Sequence, residues 1–455
     1  MLKVQEVPDT VFAEVRYTLK FGAPIVAGQL AQMSLGFIDT VMAGHLGPVD
    51  LAAVAIGRSV YMPGFIFVLG VLLAVNPIVA QFFGAKDFSK IGKSVRQGLW
   101  LSQIIAIPAF FTLRCLYRIL EYIGIQPEII PVTAGYLDAL SWSLPAVFAY
   151  LVLRFFNDGI SRSKPHMIFS LCVIPLNIVA NYVLMYGKLG FPKMGAIGAG
   201  YATSLVWWCM LIAMLLLTVL GKTYKPFGIY YNLKLPDWHY FKEILRIGIP
   251  NGVSLAMEIS MFAIVALLIG SMGVAIVAAH QVAINIASIM FMFPLGFSIA
   301  TTSRVGIAAG QKSLTGVLIA GKAGLWISSA AAAFTAALMF FFPQEIVAIY
   351  TDDSEVIRLA VSLIFMAALF QFSDSIQVSA AGALRGMKDT KIPMVVNIIA
   401  YWLIGLSFGY YLGMISHWGA EGLWIGLIIG LTFAAIAHTI RFFYLARRKQ
   451  PPFTR

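Results

Sequence analysis

From Phe21 onward, the chain alternates between long apolar runs and short polar interruptions. Each run has about the 20 residues that a helix needs to cross the hydrocarbon core of a bilayer. Backbone groups that face lipid must be hydrogen-bonded within their own segment, so we predict an all-α polytopic membrane protein with twelve transmembrane helices. The predicted helix cores are 18–43, 51–82, 97–118, 131–154, 166–187, 197–220, 245–271, 277–303, 315–342, 355–381, 394–414 and 420–445.

The composition points to the same class. Of the 455 residues, 60% are hydrophobic and only 11% are charged, whereas soluble domains carry about 25% charged residues. The three cysteines, Cys115, Cys172 and Cys209, are far apart and lack metal-ligand spacing, so no disulfide framework is predicted. The first apolar run is too long for a signal peptide, and we expect it to remain as a membrane span.

The net charge of +12 is explained by membrane topology. If the N-terminus is inside, 26 of the 32 Lys and Arg residues fall in cytoplasmic segments and five fall outside, while Arg58 lies within the second helix. Such an excess of basic residues on one side places both termini in the cytosol. The charge therefore requires no nucleic acid, and we expect none as a partner.

The second half of the chain repeats the first. A shift of 226 residues aligns about sixty positions without a gap, with Pro24 on Pro250 and Gly44 on Gly270. Six helices per half predict two parallel lobes related by a pseudo-two-fold axis along the membrane normal, as in alternating-access transporters; a duplicated channel or structural bundle is the alternative. The predicted domains are an N-terminal lobe at 1–220, a cytoplasmic linker at 221–240 and a C-terminal lobe at 241–455.

Charges within the predicted helices are few, and the acids of interest are Asp39 towards the outer end of the first, Glu258 in the middle of the seventh and Asp374 in the tenth. A charge at that depth costs at least about 2–3 kcal/mol, so such residues are usually functional or paired. A carboxyl group that gives up its proton to an arriving cation would exchange Na+, H+ or an organic cation without covalent chemistry; a purely structural role between helices is the alternative. Asp138 and Asp158 lie nearer helix ends, where we expect solvated or loop-pairing roles.

The acids are not duplicated with the helices. Under the 226-residue shift Glu258 aligns with Gln32, and Asp39 aligns with Val265. If the acids only held the bundle together, the symmetric positions should retain them more often. We therefore expect each lobe to have acquired its own polar site.

Asp39 has candidate partners in two other helices. Asn177 and Asn181 are spaced i,i+4 on one face of the fifth helix, and Thr203 lies in the sixth. Carboxylate, amide and hydroxyl oxygens together suit a hard cation such as Na+. Interhelical hydrogen bonding explains the same residues equally well.

The remaining features carry less functional information. Glycine ladders at 405–413 and 422–430 predict close helix packing. The segment around Phe291 and Met292 predicts either an adaptable apolar pocket or core filling. Arg58 is either paired or faces an outer cleft. With no nucleotide-binding, metal-binding or catalytic motif in the sequence, we predict no enzymatic activity and no cofactor.

Five stretches spread over nearly the whole chain resemble one family of transporters. They are GFIDTVMAGHLG, VAQFFGAKD, GIPNGVSLAMEISMFA, AAHQVAINIASIMFMFPLGFS and FSDSIQVSAAGALRGMKDTKIP. These stretches are similar to the multidrug and toxic compound extrusion (MATE) family, specifically its bacterial NorM-like branch. The resemblance implies cation-coupled export of cationic amphipathic drugs and dyes across a bacterial cytoplasmic (inner) membrane.

The resemblance also implies site residues. Some relatives have Asp where this chain has Asn181, so the first-lobe site keeps one carboxylate and its ion preference stays open. Phe370 stands four residues before Asp374, where some relatives have Tyr. The expected ion or proton site of the N-lobe consists of Asp39, Asn177, Asn181 and Thr203. The expected coupling-cation site of the C-lobe, a metal site in the case of Na+, consists of Glu258 and Asp374. The expected drug cavity is lined by Gln281, Asp353, Phe291 and Met292.

The function expected from the sequence is a multidrug antiporter driven by inward Na+ or H+ movement. We expect it to act as a monomer among membrane lipids, with small cationic drugs as its other partners. The main rival is a lipid-linked oligosaccharide flippase of the same superfamily, which would need basic residues in its cavity to bind pyrophosphate. The charges mapped to the membrane interior are the acids Asp39, Glu258 and Asp374, with Arg58 as the basic exception, which disfavours that rival. A channel or a membrane enzyme is a further alternative.

Overall fold

The computed structural model describes residues 7–122, 124–231 and 235–448, and this part of the chain is helical without a β-strand. Every predicted helix core lies within an observed helical segment to within one residue. In the described residues eleven helical segments are long and apolar enough to cross a membrane, and a bent pair supplies the twelfth. The prediction of an all-α polytopic membrane fold is confirmed.

The fourth crossing is bent by 43°, which the apolar pattern did not predict. The break falls at Trp142, and Pro145 follows three residues later. Proline has no N–H to donate to the carbonyl four residues earlier, so the hydrogen-bond ladder is interrupted at Ser141. The helices of the first half are α1 Val11–Gly44, α2 Pro48–Leu72, α3 Val75–Gly84, α4 Phe88–Cys115, α5 Arg118–Tyr122, α6 Ile129–Ser141, α7 Ser143–Gly159, α8 Lys164–Tyr186 and α9 Ala196–Leu220.

A short 3₁₀ turn, Lys225–Phe227, precedes the second half. This half contains the eleventh crossing of the chain, Lys391–Ile415. Its α-helix is interrupted by two π-helical segments, Ile399–Leu406 and Tyr411–Ile415. The helices of the second half are α10 Trp238–Gly270, α11 Val274–Gly310, α12 Leu314–Phe341, α13 Pro343–Ala348, α14 Ser354–Gly386, α15 Lys391–Ile398, α16 Ser407–Tyr410 and α17 Gly419–Ala446.

The internal repeat is visible in local backbone geometry. Lys86 and Lys312, which are 226 residues apart, both adopt a left-handed conformation with φ 58°. The next residue in each repeat caps the following helix: Asp87 accepts a hydrogen bond from the Lys90 N–H, and Ser313 accepts one from the Gly316 N–H. The equivalent helices α4 and α12 therefore begin in the same way, with a left-handed residue followed by an N-cap side chain.

Contacts divide the described chain into two compact units. Residues 27–252 form the first unit, and residues 7–26 together with 253–448 form the second. Both boundaries lie inside a helix, two residues after Pro24 in α1 and after Pro250 in α10. The units differ from the predicted lobes in these two helices: the first half of α1 belongs to the second unit, and the first half of α10 belongs to the first unit. The lobe boundaries stay a prediction, and residues 232–234 of the linker and both chain termini lie outside the described residues.

The second unit packs its last crossings through the two predicted glycine ladders. A Cβ atom built on Gly426 would lie 2.3 Å from the Cα of Gly409, and one built on Gly422 would lie 2.6 Å from the backbone N of Gly413. No side chain fits at such distances, so the two backbones are in direct contact, as small-residue ladders allow. In the first unit the central element is α7, in which nearly every side chain is buried.

Candidate functional site

The first unit brings together all four polar residues predicted around Asp39. Asn177 and Asn181, on one face of α8, donate to Oδ1 of Asp39 at 3.1 and 2.7 Å. From α9, the Thr203 hydroxyl donates to Oδ2 at 3.2 Å. The Asp39 side chain is buried. These contacts establish a carboxylate held by three neutral donors from two neighbouring helices.

An acceptor oxygen lies next to this carboxylate. Asn181 donates its amide N–H groups to Asp39 and to the Asn177 carbonyl, and its own Oδ1 is buried without a hydrogen-bond partner in the described part of the chain. A carboxylate and an adjacent amide oxygen can share a proton or coordinate a small hard cation. The arrangement therefore has the chemistry expected of a monovalent cation or proton site.

The second unit places Glu258 of α10 beside Tyr401, whose hydroxyl donates to Oε2 of Glu258 at 3.4 Å. Asp374 of α14 is 3% exposed, and its Oδ1 has no hydrogen-bond partner among the described residues. Asp374 interacts electrostatically with Glu258, which in turn interacts with Arg385. The predicted pair of acids therefore lies within one charged cluster.

Sequence reasoning missed several members of this cluster. Arg385 was counted with the cytoplasmic basic residues, but the structure buries it in the last turn of α14. Tyr401 gave no signal within its apolar run. Gln371 and Ser375 are fully buried near Asp374 on α14, and their side-chain polar atoms have no partner in the described chain. The i,i+3 spacing of Gln371 and Asp374 could have identified the first of them, because residues so spaced share a helix face.

The four residues predicted for the drug cavity are less closely linked to these acids. Gln281 is exposed on α11, and Phe291 and Met292 are half-buried on the same helix. Asp353 is the N-cap of α14, accepting from the backbone N–H groups of Glu355 and Val356 at 2.9 and 3.1 Å. Within the described residues no hydrogen bond or ion pair joins these four residues to Glu258 or Asp374.

One expectation for the remaining acids is wrong. Asp138 pairs with Arg114 at 2.8 Å in a partly exposed site, in line with the loop-pairing role expected. Asp158, expected to be solvated or paired with a loop, is instead fully buried on α7, 3.8 Å from the Nε of Arg154. Its helix continues to Gly159 in the core of the first unit, farther than the apolar core 131–154 had indicated.

Within the described ranges there is no group of three or more His, Cys, Asp or Glu residues that could hold a metal ion. Phe370, one turn before Asp374, packs its ring edge-on against Phe262 and Trp424 at 5.8 and 5.9 Å and contributes apolar surface rather than a ligand.

Comparison with known proteins finds relatives that match nearly the whole chain. Residues 24–183 and 250–411 match the family model described as MatE, and the two matches begin 226 residues apart, the shift of the internal repeat. The chain is 39% identical to the multidrug resistance protein NorM of Photobacterium profundum over 94% of this chain and 95% of that protein. It is also 39% identical to the multidrug resistance protein MdtK of Proteus mirabilis over 96% of each.

Solved structures show the same fold. The eukaryotic MATE transporter AtDTX14 superposes with a TM-score of 0.87 over 95% of this chain and 96% of that chain, at 21% identity. A multidrug resistance MATE family transporter of the MOP superfamily, solved in an outward-facing conformation, gives the same TM-score, identity and coverage.

Proposed function

Because the chain belongs to the MatE family, the multidrug and toxic compound extrusion transporters, we propose that it exports cationic amphipathic drugs and dyes in exchange for Na+ or H+. It is a multi-pass membrane protein. The proposal places it in a bacterial cytoplasmic membrane, with both termini in the cytosol, acting as a monomer. It requires no enzymatic step and no cofactor besides the coupling ion.

One observation carries the proposal: each compact unit has its own polar cluster, with at least one buried carboxylate, within apolar helices. Asp39 is held by neutral donors in the first unit, and Glu258 lies with Asp374 in the second. A buried carboxylate is costly unless a proton or a cation compensates it. Each cluster is therefore suited to take up a coupling cation and to release it when the surroundings change.

Exchange then follows from competition and conformational preference. A cationic drug and the coupling ion both compensate carboxylates, so they compete for the same charge. If each prefers a different state of an alternating-access cycle, their difference in affinity sets the coupling. Aromatic side chains add cation–π attraction, which favours quaternary and planar cations.

The proposal is tested by ethidium transport in proteoliposomes with an imposed Na+ or pH gradient. We expect uptake to follow one or both gradients in the wild-type protein. In Glu258→Gln, which keeps the shape of the side chain, gradient-driven uptake should fall at least about tenfold because a coupling carboxylate is lost. Glu355→Gln, at an exposed position in the first turn of α14, is the matched control and should transport as the wild type does.

Two outcomes would count against the proposal. Ethidium flux that ignores both gradients would overturn antiport altogether. Equal gradient-driven uptake in Glu258→Gln and wild type would remove Glu258 from the coupling step and leave Asp374 and Asp39 as the remaining candidates.

A further inference from the structure

The second unit has an apolar groove on its surface, between the first half of α1 and the helices α11 and α12. Its volume is about 620 Å³, and none of the described side chains that line it carries a charge. Three aromatic side chains of the groove are largely exposed, Phe12 by 83%, Trp326 by 68% and Phe334 by 61%. Exposed apolar surface on membrane-spanning helices faces the hydrocarbon of the bilayer, where lipid tails are its neighbours.

The groove is preformed, because contacts on the inner face of α1 hold this half-helix in place. Glu14 is fully buried on that face and pairs with Arg304 of α11. The ring of Phe297, which lines the groove, lies 2.6 Å from the position that a Cβ atom would take at Gly22. The first half of α1 is therefore held against α11 by contacts that do not involve an occupant of the groove.

Three basic side chains lie on the two helices that form the edges of the groove. Arg16 follows Phe12 by four residues and Lys20 follows Arg16 by four, so they share one face of α1. Lys322 precedes Trp326 by four residues on α12. Arg16 and Lys20 are exposed and Lys322 is half-buried. None of the three forms a hydrogen bond or an ion pair with another residue in the described ranges.

The basic side chains lie near one end of both helices. Arg16 is in the second turn of α1 and Lys322 is in the third turn of α12. Both helices begin at the side that the charge pattern predicts to be cytoplasmic. Long basic side chains at such positions extend to the level of the lipid headgroups while their stems stay in apolar surroundings.

The internal repeat indicates what the position of Lys322 can bind. Under the 226-residue shift, Lys322 corresponds to Arg96 of the first unit. Arg96 donates to three backbone carbonyl oxygens within residues 228–231, the segment that joins the two halves, at 2.8–2.9 Å. In the first unit a stretch of chain thus supplies oxygen acceptors to this basic position. Lys322 has no such partner among the described residues of the second unit.

The other positions at the edges of the groove also keep their chemistry in the repeat. Basic residues correspond to basic ones, and aromatic residues correspond to aromatic ones. The pairs are Phe12 and Trp238, Arg16 and Lys242, Lys20 and Arg246, and Trp326 and Trp100. Both repeats therefore combine aromatic and basic residues at one-turn spacing, but a chain segment is bound to this basic position in the first unit only.

We infer that the groove binds an anionic phospholipid, with an acyl chain between α1 and α12 and the headgroup phosphate against Lys322, Arg16 and Lys20. The phosphate oxygens take the place that backbone carbonyl oxygens have at Arg96. Phosphate is also the acceptor that guanidinium and ammonium groups bind most readily. The inference is independent of the proposed drug export.

The basic residues provide the selectivity for an anionic lipid. An acyl chain alone provides none, because lipid tails are as apolar as the side chains that they contact. Each Lys or Arg at the headgroup level attracts anionic lipids over neutral ones. One exposed acid, Asp9, precedes α1, so the three basic residues leave an excess of positive charge.

Lipids with brominated acyl chains test the inference, because bromine quenches an indole ring that it contacts. The full chain is reconstituted into phosphatidylcholine vesicles with increasing amounts of brominated phosphatidylglycerol or brominated phosphatidylcholine. The chain has nine tryptophans, so the contribution of Trp326 is taken as the difference between the wild type and Trp326→Phe. We expect phosphatidylglycerol to quench that contribution at a mole fraction at least about fivefold lower than phosphatidylcholine.

Two charge variants test the headgroup contact. Lys322→Gln and Arg16→Gln should each reduce the preference for phosphatidylglycerol about fivefold, which is the effect of one basic residue at a membrane surface. Arg16 is exposed, so its replacement does not disturb the packing of α1. Lys222→Gln, at an exposed lysine of the first unit, is the matched control and should keep the wild-type preference.

A third variant tests the acyl-chain contact without changing the charge. Ala330→Phe places a ring in the groove, one turn after Trp326, and should weaken quenching of Trp326 by both lipids. Ala333→Phe, at an exposed alanine of α12 that does not line the groove, is its control and should give the wild-type titration.

Four results would overturn the inference. The first is equal quenching of Trp326 by the two lipids in the wild type, and the second is an unchanged preference in both Lys322→Gln and Arg16→Gln. The third is an equal loss of preference in Lys222→Gln, which would indicate a general effect of surface charge. The fourth is the absence of quenching by either lipid, which would indicate that a segment of this chain or a second copy covers the groove.

Discussion

At the scale of single residues, the two acid clusters differ in what surrounds the carboxylates. Asp39 accepts three hydrogen bonds at 2.7–3.2 Å, whereas Glu258 receives one long bond from Tyr401 at 3.4 Å. Hydrogen-bond donors and nearby cations compensate a carboxylate, and the second cluster sets two acids, Glu258 and Asp374, against one arginine, Arg385. The cluster of the second unit is therefore the better candidate for the coupling-cation site.

Tyr401→Phe tests the contribution of the single hydrogen bond to Glu258. The variant removes one hydroxyl from a fully buried ring, and such a hydrogen bond is worth about 0.5–1.5 kcal/mol. We therefore expect the concentration of coupling cation that gives half-maximal ethidium transport to change about two- to tenfold. The measurement is a titration of the driving ion in proteoliposomes. Tyr410→Phe, whose ring is 49% exposed, is the control; an unchanged titration in Tyr401→Phe would show that this hydroxyl does not tune the site.

Residues in the first cluster were easier to predict than those in the second. Asn177 and Asn181 share a helix face by spacing alone, and the structure confirms that both contact Asp39. Tyr401 comes from a distant crossing and has no spacing relation to Glu258. Only the packing of α10 against the eleventh crossing brings the two together, so a single sequence could not have identified it.

At the scale of helices, the last two crossings combine very close packing with an irregular backbone. The glycine ladders bring the eleventh crossing against α17, while the π-helical turns at 399–406 and 411–415 widen the same helix. Extra residues per turn shift the side chains that follow, and such segments often accompany functional sites. Here the first π-helical segment contains Tyr401, whose hydroxyl donates to Glu258.

Gly426→Ala tests the ladder. The added Cβ would lie 2.3 Å from the Cα of Gly409, so the helices must separate, and overpacking of this kind costs about 1–3 kcal/mol. We expect a lower midpoint of thermal unfolding in detergent, followed by intrinsic tryptophan fluorescence. Gly64→Ala, which meets no atom within 4 Å, should leave the midpoint unchanged or slightly raised. A Gly426→Ala midpoint equal to that of the wild type would mean that α17 has room to shift.

The helix cores were predictable, since each lies within an observed helical segment to within one residue, but the full lengths of the helices and the breaks within them were not. Apolar length and polar interruptions define where a chain enters and leaves the bilayer, so all twelve crossings follow from the pattern. The bend at Trp142 and the π-helical turns change neither the length nor the hydropathy of their runs. They depend on hydrogen bonds within the backbone and on neighbouring helices, which hydropathy does not record.

At the scale of the whole molecule, a fully buried ion pair holds the first half of α1 within the second unit. Glu14 accepts from Nε and Nη2 of Arg304 at 2.6 and 2.8 Å, and the Thr18 hydroxyl donates to Glu14 at 3.2 Å. Tyr17 adds a cation–π contact, with its ring centroid 4.3 Å from the Arg304 guanidinium carbon. The sequence assigned Arg304 to the cytoplasmic basic residues and gave no sign of this pair.

Glu14→Gln tests how strongly that half-helix is held. The variant removes the carboxylate charge that pairs with Arg304 at 2.6 Å; breaking a buried ion pair from one side costs about 3–5 kcal/mol, so the unfolding midpoint should fall by several degrees. The double variant Glu14→Met with Arg304→Met removes both charges and should recover most of the loss. Glu345→Gln, at an exposed position, serves as control. A double variant no more stable than Glu14→Gln would show that the loss in Glu14→Gln does not come from the arginine charge that remains buried.

The exchange of half-helices after Pro24 and Pro250 constrains how this architecture arose. The first half of each repeat's leading helix packs within the compact unit built mainly from the other repeat. A protein made of a single repeat would leave that half-helix without a packing surface, and a second copy would have to supply it. A chain of one repeat would therefore have to associate with a second copy to bury that half-helix, as domain-swapped dimers do.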